Sequence, residues 1–130
     1  MNKFVTDTQA LVKFMNGVKV INDKINSIMK KADKGENIII IPSAVLFEIA
    51  YLNEKGRIPV TLNDVNNIIE NSINYVEEKL SRKIIKASFE ITDIPELHDR
   101  LIAGTARYLD LPLITNDPVI LNSKFLNCVK

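Results

Sequence analysis

A chain of 130 residues, 46 % hydrophobic and 25 % charged, is long enough for one domain around one core and has the balance of an ordinary globular protein. Its net charge of +1 excludes a strongly basic nucleic-acid coat, so any polyanion contact is confined to a local patch. With no Trp and few aromatics, a broad base-stacking platform is not expected either.

In chain order, Phe4 to Thr6 reads as a short strand, and Asp7 and Thr8 open a helix to about Val18. A second helix spans Ile21 to Lys34, with Ile21, Ile25, Ile28 and Met29 on one apolar face and Gly35 as its stop. The unbroken run Ile38 to Ile41 is the mark of a strand covered on both faces, as in parallel sheets. Pro42 and Ser43 start a helix that runs to about Lys55 and is closed by Gly56, and Thr61 caps another reaching Ser72. Ile73 to Val76 is a weaker strand. Ser81 caps a helix with Ile84, Ile85, Ser88 and Phe89 on one side. A helix from about Pro95 to Leu109 leads into strand Leu113 to Thr115, then a turn or short helix from Asp117, and a last strand at Phe125 to Val129.

Strand-then-helix repetition of this kind predicts a single three-layer α/β/α domain over residues 1–130 with a central parallel sheet. Cys128 is the only cysteine, which excludes an intrachain disulfide and a Cys-based zinc site. The opening MNKFVTDTQ has no apolar signal region, and the aliphatic run IIIIP is too short to span a bilayer. The expected protein is soluble and cytoplasmic, with no membrane association.

In a parallel sheet, ligands bind along the edge where strands end and the next helices begin. Four acids from separate segments fall there: Asp7 after the first strand, Glu48 early in the helix after the second, Asp99 in the first turn of its helix, and Asp117 after the fourth strand. Glu48 interrupts the stripe Val45, Ile49 and Leu52, and Asp99 heads the stripe Ile102, Ala103 and Ala106. A carboxylate facing a core costs several kcal/mol unless it is paired or neutralised. Each acid also has a structural reading. Asp7 and Asp117 suit helix N-caps, the latter before Pro118, and Asp99 suits the helix dipole. Four caps, however, need not share an edge with two acids pointing inward. Clustered carboxylates without His or Cys partners are the ligand set of Mg²⁺ or Mn²⁺, whose chemistry is the hydrolysis of phosphate esters. Thr8, Thr115 and Asn116 flank the acids and are candidates for supporting hydrogen bonds.

The blocks FVTDTQALVKF, IPSAVLFEIAYL and LHDRLIAGTARYLDLPLITNDP, in this order, resemble the PIN-domain family, especially its VapC-like toxins. The resemblance implies a compact α/β/α domain with a parallel sheet ordered 3-2-1-4-5, and a Mg²⁺- or Mn²⁺-dependent ribonuclease. Carried over position by position, the family's acidic set falls on Asp7, Glu48, Asp99 and Asp117, and Thr115 matches its small hydroxyl residue. Also implied are a partner antitoxin whose C-terminal segment covers the acidic cleft, often with an Arg, and a homodimer. Arg100, the basic residue nearest the site in sequence, is a candidate for steadying a substrate phosphate, or else a solvated helix residue. Lys79, Arg82, Lys83 and Lys86 read either as an RNA track or as a solvated face.

Other phosphate-handling classes fail on named residues. A haloacid-dehalogenase-type site needs an Asp where Gln9 stands, His98–Asp99 lacks the further histidines of HD phosphohydrolases, and a receiver domain needs an acidic pair near the first strand. The remaining alternative is a non-catalytic module that binds a metal or a peptide Arg in the acidic pocket.

Overall fold

The computed structural model describes residues 1–18 and 22–129. Strands β1 (Asn2–Thr6), β2 (Asn37–Pro42), β3 (Tyr75–Glu78) and β4 (Leu113–Ile114) form one sheet in the order β3-β2-β1-β4. Every pairing is parallel, with Val5 opposite both Ile40 and Leu113, and Ile40 opposite Val76. Parallel strands need crossovers, and these are the helices α1 (Thr8–Met15), α2 (Asp23–Asp33), α3 (Ser43–Glu54), α4 (Leu62–Asn71), α5 (Arg82–Glu90) and α6 (Leu97–Leu109). A single turn, α7 (Pro118–Leu121), follows β4. The sheet is flanked by helices and the core lies against it. Ile39, Ile41, Leu11, Ile49, Ile102 and Ile114 are all fully buried, as the aliphatic strands require.

Several boundaries differ from the sequence expectation, each for a local reason. The first helix stops at Met15, not Val18, because Gly17 takes the left-handed conformation (φ 72°) and Val18 N–H reaches back to Lys13 O at 3.0 Å. The second starts at Asp23 under an Asn22 cap; Ile21 lies outside the described residues. The third strand is shifted to Tyr75–Glu78, leaving Ile73 in solvent while Asn74 ties to Asn37 O. Helix α5 buries Ile84, Ala87 and Ser88, whereas Ile85 and Phe89, expected on the same side, are exposed.

The last expected strand is reduced to one parallel bridge between Leu113 and Cys128, held by Leu113 N–H to Asn127 O and Val129 N–H to Leu113 O, both 2.9 Å. Strand β4 is only two residues long, so it offers little edge to pair with. The bridge lies beyond β4, at the place of a fifth strand in the order 3-2-1-4-5. No helix among the described residues is long and apolar enough to cross a membrane.

Candidate metal centre at the strand ends

The cap reading and the site reading of the acids prove compatible. Asp7 is the N-cap of α1, its Oδ1 accepting from Ala10 N–H at 2.8 Å, and Asp117 is the N-cap of α7, its Oδ1 accepting from Val119 N–H at 2.8 Å. Both nevertheless line a cavity of 380 Å³, together with Glu48 and Asp99. Capping uses one carboxylate oxygen and fixes the side chain, so each cap holds an acid in position on the cavity wall. Thr8 and Asn116 line the same cavity.

Glu48 is held by a bond from α1, and the backbone of Asp99 by the cap of α6. Thr8 is buried, and its Oγ1 donates to Glu48 Oε1, linking α1 to α3. The Glu96 carboxylate caps α6 by accepting from Asp99 N–H at 2.6 Å, and a second bond joins its Oε1 to His98 Nδ1 at 3.0 Å. Thr115, fully buried, accepts from Asp117 N–H at 3.0 Å, and its hydroxyl also meets Asp7. The two threonines therefore bind the acids themselves.

The field at the cavity is strongly negative. Burial pushes the Asp7 carboxyl above the usual range; the Thr115 hydroxyl and Ala10 N–H oppose this, and the charges of Asp117 and Glu48 add to it. Asp99 is pushed up to about 6, first by burial and then by Glu96, Asp117, Glu48 and Asp7. Glu96 is a fifth carboxylate of this field that the sequence reading passed over. Burial pulls its own carboxyl up, but bonds from Asp99 N–H and His98 outweigh it and hold Glu96 below its usual value. The signal for it was the x-x-E-x-x-D spacing of an N-cap and its third helical residue.

Four carboxylates, two hydroxyls and an Asn amide are hard oxygen donors, a composition that fits Mg²⁺ or Mn²⁺. The like charges stand apart: among the described residues, no three His, Cys, Asp or Glu side chains are drawn close enough to hold a metal ion. The donors are of the right kind for such an ion.

Basic groups are distributed differently from the expectation. Lys13, from α1, lines the acidic cavity. It lies one turn after Gln9, another lining residue, so i,i+4 spacing was the signal for it. Arg100 is not among the lining residues; its Nε donates to Ile94 O at 2.7 Å and its guanidinium stands 5.2 Å from the centre of the Phe89 ring. It is thus a half-buried side chain held between α6 and the end of α5. Lys83 and Lys86 line a separate cavity of 700 Å³ with Arg107 and Lys124, at the opposite end of α6 from Asp99.

A family model described as the PIN domain matches residues 4–125, nearly the whole chain. The chain belongs to the PIN domain family. Similar solved structures are those of VapBC2 from Rickettsia felis bound to a promoter DNA fragment, DNA-bound VapBC from Salmonella typhimurium, and FitAcB from Neisseria gonorrhoeae. The first is 21 % identical with a TM-score of 0.70, covering 98 % of this chain and 97 % of that one. The second is 17 % identical at 0.67, covering 99 % and 98 %, and the third 13 % identical at 0.62, covering 98 % and 96 %. At these identities the likeness is one of fold, and it runs the full length of this PIN domain. No curated protein matches the chain.

Proposed function

We infer that this PIN domain is a divalent-metal-dependent endoribonuclease, hydrolysing RNA phosphodiester bonds as the toxin of a type II toxin–antitoxin pair. The observation that carries the reading is the gathering of Asp7, Glu48, Asp99 and Asp117, from four separate elements, around one cavity at the strand ends. Asp7, Glu48 and Asp99 would hold Mg²⁺ or Mn²⁺, with Asp117 assisting directly or through water. When bound, the ion supplies a Lewis acid that activates water and neutralises charge developing on the phosphoryl group.

The chain's own residues do the rest. Thr8 orients the Glu48 carboxylate, Thr115 supports Asp7 and Asp117, and Asn116 lines the same cavity. Lys13 is better sited than Arg100 to meet a phosphate of the bound strand, since Arg100 is engaged with Ile94 and Phe89. The same concentration of carboxylates suits an Arg from an antitoxin segment, which would block the site by filling it. A cytoplasmic homodimer completes the reading.

One observation favours a second reading, a non-catalytic module: the carboxylates stand apart among the described residues. Incubating the purified protein with mixed structured and unstructured RNA in Mg²⁺, Mn²⁺ or EDTA separates the two. Cutting in Mg²⁺ or Mn²⁺ that stops in EDTA is expected. A folded protein that binds Mn²⁺ but cuts nothing would favour the binding module.

Thr8→Val preserves the shape of the side chain and removes its donor. Losing a bond that orients a metal ligand is expected to lower cleavage by about 10- to 100-fold. The stability cost should be about 1 to 3 kcal/mol, because the bond lost is to a carboxylate that stays behind without its donor. An unchanged rate in a folded variant would take Thr8 out of the site.

A further inference from the structure

Helix α3 is apolar on two sides. Ala44, Val45 and Ile49 are buried, yet Phe47 is 63 % exposed and Tyr51 47 %. The two rings are one turn apart, so they lie on one stripe, and exposed Lys55 continues it with its Nζ 5.6 Å from the Tyr51 ring centre. Beside Phe47, the ring of His98 from α6 stacks almost parallel, with centroids 5.7 Å and planes 15° apart. The result is a run of three rings and a cation, His98–Phe47–Tyr51–Lys55. It starts next to the acids, because Phe47 immediately precedes Glu48 and His98 immediately precedes Asp99, and both of those carboxylates line the cavity.

We propose that this run is a track for single-stranded RNA, with bases stacking on Phe47 and Tyr51 and the backbone meeting Lys55, so that the strand is led to the acidic cavity. The proposal rests on the ribonuclease reading above. Every base has a flat face, so aromatic stacking holds a strand whatever its sequence, and a nearby cation suits the phosphates. Next to four carboxylates the choice of neutral rings has a physical reason. The acids repel phosphates, whereas a ring holds the base and leaves the charge aside. A duplex hides its base faces in the helical stack, so the track favours unpaired RNA.

The test uses a single-stranded RNA oligonucleotide carrying 2-aminopurine, whose fluorescence is quenched on stacking, titrated in EDTA with wild type, Phe47→Ala, Tyr51→Ala and Phe47→Trp. Both positions are exposed, and melting curves check that each variant folds. Wild type is expected to quench the probe. Each Ala variant should weaken binding by roughly 5- to 100-fold, the worth of one stacked base, and reduce the quench. Phe47→Trp should restore both. Ala variants with unchanged affinity and quench would overturn the track. So would variants that change only the particle mass by light scattering, which would assign the rings to contact with a second copy. Wild type that cleaves RNA in Mg²⁺ without quenching the probe would remove the track and leave the nuclease standing. Wild type that neither binds nor cleaves RNA would remove both.

Discussion

Asp99→Asn is expected to lower RNA cleavage by more than about 100-fold and, at neutral pH, to raise the melting temperature of the metal-free protein. The loss follows from removing a ligand, since disturbing even the outer partners of metal ligands costs about 10- to 100-fold. The gain follows from electrostatics. Burial and the charges of Glu96, Asp117, Glu48 and Asp7 push the Asp99 carboxyl up to about 6, above its value in the unfolded chain. A raised folded value means that the native state holds the proton more tightly. The Asp99 contribution is therefore favourable at acid pH and is lost as pH rises from about 4 through about 6. Above that window the ionised group costs about 1 kcal/mol after discounting for solvent screening of a half-exposed side chain. The neutral Asn avoids this cost, so the variant should melt roughly 4 °C higher near pH 7.5 and match wild type near pH 4. Melting curves in EDTA at the two pH values check the claim, and equal melting temperatures near pH 7.5 would refute it. Full cleavage activity in the variant would remove Asp99 from the metal ligands.

The second large effect is expected at Gly104→Ala, outside the lining of the acidic cavity. In an exposed helix the change gains about 1 kcal/mol. Here a Cβ at position 104 would stand 1.8 Å from Ser88 Oγ, 2.6 Å from Ser88 Cβ and 2.7 Å from Ser88 Cα. The last is backbone, so α5 itself must move. Ser88 is fully buried and its hydroxyl is bonded to Ile84 O at 2.7 Å, which leaves the side chain no room to rotate away. Overpacking of this severity costs about 3 kcal/mol, for a net loss of roughly 2 kcal/mol and a melting temperature some 8 °C lower. Adding Ser88→Gly removes two of the three clashes and should recover part of the loss. Gly104→Ala melting at or above wild type would show that α5 and α6 approach less closely than described.

The four acids were legible in the sequence because two of them, Glu48 and Asp99, break apolar stripes and two, Asp7 and Asp117, end strands. Less legible was that capping and cavity lining are performed by the same side chains. A cap is a side-chain bond to a backbone N–H two or three residues on, whereas the cavity depends on where four separate elements end. Gly17 was a stop signal in plain view, overlooked because the apolar pattern runs past it. The shift of β3 was not readable, since Ile73 looks like a strand residue and only the pairing with β2 sets the register. Ile85 and Phe89 misled for a related reason: an apolar helix position says nothing of which neighbour covers it.

The sequence by itself determined the α/β class, the parallel sheet and the carboxylates at its edge. These rest on periodicity and on local rules that act within a few residues. Tertiary structure alone decided that Arg100 is bonded to Ile94 and set against Phe89, and that His98 meets Phe47. Those are contacts between elements, fixed by crossover geometry and helix packing, and no spacing along the chain encodes them.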